Sequence, residues 1–184
     1  MIEETLESAD FNLGLTNDKV AALEKQNEVL KDEVTYLQSQ SMRNNLIFAK
    51  IEEAPVGVQE NTEQKVRDFL ESKMKIAKQI VNDIVFESVH RMAARFQGSS
   101  RKIVAKLNLF KEREMVRKQW KHLENTPFYV HEQFPREVVA KRRQLIPTMK
   151  EAKLNGKNAW ISYDTLYIDR RKRMTGDRDS TEEI

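Results

Sequence analysis

A heptad pattern near the start of the chain constrains its fold more than any other feature. With position a at Leu6, Leu13, Val20, Asn27 and Val34, position d falls on Ala9, Thr16, Leu23, Leu30 and Leu37. From Val20 to Leu37 every seam position is then apolar except Asn27, and Lys19 at g faces Glu24 at the following e. A stripe this narrow, with an almost entirely polar outer face, cannot build a core by itself. It implies a coiled coil over residues 1–43, joined through Leu13, Val20, Leu23, Asn27, Leu30, Val34 and Leu37. The alternative is one amphipathic helix packed on its own globular domain. The stretch before Val20 is weaker, because Gly14 costs roughly 1 kcal/mol of helix propensity and Thr16 is a poor d residue. Asn17 and Asp18 offer a cap for a helix that begins there. β-Branched a residues with leucine at d, and Asn27 at a, lean towards a dimer.

After the polar joint SQSMRNN, strand and helix signals alternate. LIFAKI (46–51) reads as a strand ending at the Pro55/Gly57 turn. Residues 61–75 read as a helix, with Val66, Phe69, Leu70 and Met74 at helical spacing and Thr62 as its cap. Strands follow at 84–92 and 101–110, a helix at 111–123 and a last strand at 127–134. The order β-α-β-β-α-β over residues 44–134 is a split βαβ sandwich. Residues 135–174 read as a helix from Arg136 to Leu154, which Pro147 should kink or break. A turn at Asn155-Gly156 and a hairpin around Asp164 complete that piece. A flexible tail is expected at 175–184. The fold class is therefore α+β: coiled coil, sandwich, and a small helix-plus-hairpin domain.

Composition narrows the chemistry. The absence of cysteine excludes disulfides, zinc knuckles and thiolate nucleophiles. No apolar run reaches the length of a membrane span, and the acidic start is unlike a secretory signal, so a location inside the cell is expected. The five glycines build no phosphate loop, and His90, His122 and His131 share no metal-ligand spacing. No enzyme, cofactor, metal or small-molecule substrate is expected.

Charge is unevenly divided. Residues 1–40 hold nine acidic and three basic side chains, so the remaining 144 carry an excess of nine positive charges. Residues 101–121 contain eight basic side chains against Glu112 and Glu114, and residues 136–173 contain eleven against four. Phe86, Phe96, Phe110, Trp120, Phe128, Tyr129 and Trp160 lie among or near them. Phosphate neutralisation combined with base stacking holds single strands without a fixed sequence. Most of the aromatics are expected in cores, Phe69, Trp120 and Trp160 in particular. Strand alternation sets Lys102, Val104 and Lys106 on one face and Ile103, Ala105 and Leu107 on the other, so two lysines leave the sheet on one side.

The β-α-β-β-α-β unit is similar in topology to an RNA-recognition motif, with Phe48 where such domains set a stacking aromatic. The third strand lacks their Gly-aromatic run. The succession RNNLIFAKIEE, SVHRMA, RKIVAKLNLFKEREMVRK, FPREVVAKRRQLIPTMKEAK and GKNAWISYDTLYID, behind a coiled coil, resembles the first-open-reading-frame protein of LINE retrotransposons, or a host gene derived from one. The resemblance covers residues 1 to about 170. It implies a homotrimer, against the dimer leaning of the heptads, that binds RNA and single-stranded DNA as a nucleic-acid chaperone. The setting it implies is a ribonucleoprotein particle in the cytoplasm, or also the nucleus. Its basic binding residues map onto Lys106, Arg142 and Arg143, with Arg95, Arg101 and Lys102 flanking the passage between the second and third strands. Arg117, Lys121 and Lys141 complete the candidate nucleic-acid-binding set. After Ile168-Asp169 the family continues with Gly and an aromatic, whereas this chain has Arg170-Arg171-Lys172-Arg173.

Overall fold

The computed structural model describes residues 2–55, 57–92 and 100–169, with residues 2–10 as backbone only. Arg95, Phe96, the 170–173 basic run and the tail expected at 175–184 lie outside the described residues. The chain is mixed α+β and divides into two units, Met1–Pro135 and Arg136–Ile184.

The first unit opens with helix α1 (Ile2–Ser41), whose 40 residues run without interruption. At 1.5 Å per residue it is about 60 Å long. It continues through Gly14 and through Asn17-Asp18, so the expected start at Asn17 is not observed. The seam side chains Leu13, Val20, Leu23, Leu30, Val34 and Leu37 are between 47% and 64% exposed. The alternative of an amphipathic helix packed on its own globular domain would require these to be buried.

A hydrogen-bonded turn through Met42 and Arg43 leads into β1 (Asn45–Ala49). Helices α2 (Thr62–Ser72) and α3 (Lys78–Asp83) follow, then strands β2 (Phe86–Arg91) and β3 (Ile103–Leu107). Helix α4 (Phe110–Lys118) tightens into a 3₁₀ turn at Gln119–Leu123 before β4 (Tyr129–Glu132). The sheet order is β2-β3-β1-β4 with every pair antiparallel. That is the split arrangement in which each helix crosses over to a non-adjacent strand.

Alternation along the strands sends Leu46, Phe48, Ile103, Ala105 and Leu107 into one core with Val66, Phe69 and Leu70 of α2 and Val116 of α4. Phe69 fills its centre, edge-on to Phe48 at 5.8 Å and to Phe128 at 5.3 Å. Phe48 is only 1% exposed, so it is a core residue and not the stacking aromatic suggested by the motif likeness. The cap of α2 is Asn61 rather than Thr62, its side chain accepting from the Gln64 N–H at 2.9 Å. Helix α3 has no counterpart in the sequence reading; it buries Val81.

One rim of the sheet is pinned by Arg91. Its guanidinium donates to Glu60 at 2.8 Å and to the carbonyls of Ile51, Glu52 and Arg101. Burial works to raise the Glu60 carboxyl. The hydrogen bond from Arg91, the Ala54 N–H, the charge of Arg91 and the Thr62 hydroxyl outweigh it, and hold the group at about 2.

The second unit is helix α5 (Arg136–Leu154) packed on a hairpin of β5 (Asn158–Ser162) and β6 (Thr165–Asp169). Pro147 lies inside α5 without ending it. Its ring removes the N–H that would meet the Arg143 carbonyl, and both residues are exposed, where water can take that bond. The helix stops at Gly156 (φ +72°), with Lys157 N–H donating to Ala152 and Gly156 N–H to Lys153. This is the glycine-terminated Schellman pattern.

Candidate nucleic-acid interface

The strand register builds the sheet face opposite the core in rows. One row reads His90, Val104, Ile47, His131 across β2, β3, β1 and β4. Ile47 and Val104 are buried, and His90 is exposed. Tyr129 precedes His131 by two residues on β4, so both rings leave on this face and stack, 5.9 Å apart and 15° from parallel. The Lys102 ammonium lies 5.9 Å from the Tyr129 ring centre and the lysine is exposed. Lys106 leaves on the same face but is half-buried, its Nζ donating to Glu87 at 2.6 Å.

A bulge in β2 explains that pair. Phe86 faces Leu107 and Ser88 faces Lys106, so Glu87 is the extra residue and lies beside the lysine. Lys106 and Glu87 also line a polar cleft of about 420 Å³ with Gln40, Ser41, Arg43, Asn44 and Phe110. There Arg43 lies over the Phe110 ring at 4.4 Å. Arg43 and Asn44 carry no signal in the sequence, where they read as the joint after the heptads.

The structure separates the other candidate residues. Arg101 is tied to Glu53, through its backbone N–H at 2.6 Å and its guanidinium at 3.1 Å. Arg117 and Lys121 lie on α4 and the turn after it, in the layer that covers the core, and so on the opposite side of the sheet from Lys102 and Lys106. Lys121 is exposed, whereas Arg117 donates to Glu114 at 2.9 Å. That bond, against some burial and with help from the charges of Arg117 and Arg113, lowers the Glu114 carboxyl to about 2; the same bond raises Arg117. Arg113, counted among the basic cluster, is buried and paired with Glu114 and Glu132.

In the second unit the three candidate basic residues of α5, Lys141, Arg142 and Arg143, behave differently. Lys141 pairs with Asp164 at 3.3 Å and Arg142 donates to the Tyr163 carbonyl at 2.5 Å, so both grip the hairpin turn. Arg143 is exposed. Trp160 and Tyr167 are cross-strand partners whose rings stack at 5.5 Å and 11°. They are 44% and 46% exposed, and Trp120 is 48% exposed, so the expectation of core positions holds for Phe69 and fails for both tryptophans. The alternation that faces Ala159 inwards turns Trp160 outwards.

Among the described residues no group of three or more His, Asp or Glu could hold a metal ion. No helix among them is long and apolar enough to cross a membrane. No family model matches the chain, and no curated protein matches its sequence.

Proposed function

We propose that this protein is a non-enzymatic, coiled-coil homotrimer that binds RNA and single-stranded DNA with little regard to sequence. In this reading it is a nucleic-acid chaperone of a retrotransposon ribonucleoprotein particle, akin to the first-open-reading-frame proteins of LINE elements. The observation that carries the reading is the Tyr129–His131 stack with Lys102 beside it, on the sheet face opposite the core. Flat rings and a cation on one strand-built surface are what unpaired bases and phosphates bind. The order β2-β3-β1-β4 with helices on one face is compatible with an RRM-like domain. The exposed seam of α1 supports assembly through a coiled coil. Joining copies would multiply a weak site through effective concentration.

A second reading, a coiled-coil adaptor without nucleic-acid binding, draws on one observation. Lys106, Arg101, Arg117 and Lys141 each already have a carboxylate partner. Pairs open to solvent contribute about 0–1 kcal/mol. Lys106, Arg117 and Lys141, each partly exposed, therefore weaken the first reading little, whereas Arg101 is held by a buried Glu53 side chain.

The test is a salt-titrated binding assay of the full chain with a fluorescent single-stranded RNA, beside the Lys102→Glu/Lys106→Glu variant. Binding that weakens steeply with salt and drops in the variant supports the proposal. No binding at low salt leaves the adaptor.

A further inference from the structure

The second unit carries an aromatic surface that the sheet of the first unit does not explain. Trp160 on β5 and Tyr167 on β6 stand directly opposite each other, their ring planes 11° apart. Because Ala159 is buried and strand residues alternate, this pair leaves on the hairpin face turned away from α5. A cross-strand aromatic pair supports a hairpin, but hairpin support alone does not require two large rings each almost half exposed. The rest of that face is polar: Asn158 and Asp169 form the neighbouring register pair at one end, Ser162 and Thr165 at the other. With no aliphatic strand residue beside the rings, the surface lacks the continuous apolar centre of a protein-docking patch. It suits a flat ligand with polar edges.

Charge favours the same ligand. Over residues 136–169 seven basic side chains stand against four acidic ones, and Lys153 and Lys157 are exposed just before β5. A nucleobase has a π-face for the rings and edge groups for Asn158, Ser162 and Thr165, while the net positive charge of this unit draws in its phosphates.

We infer that Trp160 and Tyr167 form a second base-stacking platform, on which unpaired nucleobases of a bound single strand extend the two-ring stack. The inference rests on the single-strand-binding reading above and adds to it a site in the second unit. Since the two rings are nearly parallel, a base set on either outer ring face continues the stack without any change in the hairpin.

The test uses the full-length chain carrying Trp120→Phe, which leaves Trp160 as the only indole. Two probes of equal length are titrated at low salt, an oligothymidylate and an abasic phosphodeoxyribose strand that keeps the phosphates and lacks the bases. Oligothymidylate is expected to quench the Trp160 emission and the abasic strand to bind without quenching. Adding Trp160→Ala and Tyr167→Ala should weaken oligothymidylate binding about tenfold and leave the abasic strand unaffected. Trp160→Phe with Tyr167→Phe, which preserves a stack, should stay within about twofold. Oligothymidylate that binds without quenching overturns the platform and leaves the single-strand reading intact. Quenching with unchanged affinity in the alanine variant also overturns it, because the rings would then lie near the strand without holding it. Failure of both probes to bind removes the parent reading and the platform together.

Discussion

Lys106 of β3 donates to Glu87 of β2 at 2.6 Å, beside the bulge that gives β2 one residue more than its neighbour. The lysine that the strand pattern directs towards a ligand is thus held by a carboxylate that a phosphate would have to displace. Glu87→Gln should therefore tighten single-stranded RNA binding, by roughly threefold for an exposed pair. Lys106→Ala should weaken it and flatten the logarithmic salt dependence by about 0.7 for each phosphate no longer neutralised. Equal salt slopes in the wild type and Lys106→Ala would remove Lys106 from the interface.

The Arg91–Glu60 pair predicts a stability effect unconnected with binding. The Arg91 side chain is 5% exposed and satisfies three backbone carbonyls as well as the carboxylate. Arg91→Ala strands Glu60 and those carbonyls at the rim, and should cost about 3 kcal/mol. Lysine lacks the planar fork that reaches several acceptors together, so Arg91→Lys should recover little of it. Urea denaturation followed by circular dichroism reads both.

Acid should act on the first unit in a defined window. The Glu60 and Glu114 carboxyls are held at about 2, below an ordinary value of 4.5. A carboxyl lowered by folding binds its proton less tightly in the native state than in the unfolded chain. Its contribution is complete above pH 4.5 and is lost as pH falls towards 2. The urea midpoint should fall across that interval, and the Glu60→Gln variant should show a shallower decline from a lower starting point. A midpoint independent of pH there would contradict the two ion-paired environments.

For α1 the expected outcome concerns mass. Leu23→Asp with Leu30→Asp inserts charge at two d positions that are 63% and 52% exposed in the single chain. Sedimentation should then report a monomer with reduced helix content, since a lone helix without a packing partner is marginal in water. Asn27→Leu should raise thermal stability and broaden the distribution of oligomers. A wild type already monomeric at micromolar concentration would end the coiled-coil proposal.

Gly156 offers a local probe of the second unit. Its φ of +72° is left-handed, and a Cβ there meets open space, so the cost of Gly156→Ala is conformational and not steric crowding. It should destabilise by about 1 kcal/mol, read by hydrogen exchange of the α5 and hairpin amides.

Several features of this architecture were legible because they are local. The heptads of α1, the helical spacing of Val66, Phe69 and Leu70, and the alternation around Ala105 depend on neighbours a few positions away. Asn155-Gly156 likewise carries its turn in its own conformational preference. The bulge at Glu87 was not legible. It lets Phe86 and Val89 both pack on the core side and turns Glu87, Ser88 and His90 the other way, which breaks the period of two that a strand reading assumes.

By itself, then, the sequence determined the order of the strands, the acidic helix ahead of a basic remainder, and the faces of β3. Only the tertiary structure decided which cations are already engaged and which rings are exposed. Glu53 is 48 residues from Arg101, and Glu87 is 19 from Lys106. Lys102 and Arg117 belong to one basic run yet lie on opposite sides of the sheet. Periodicity is a property of adjacent residues, whereas pairing and burial depend on which distant segments the strand order brings together.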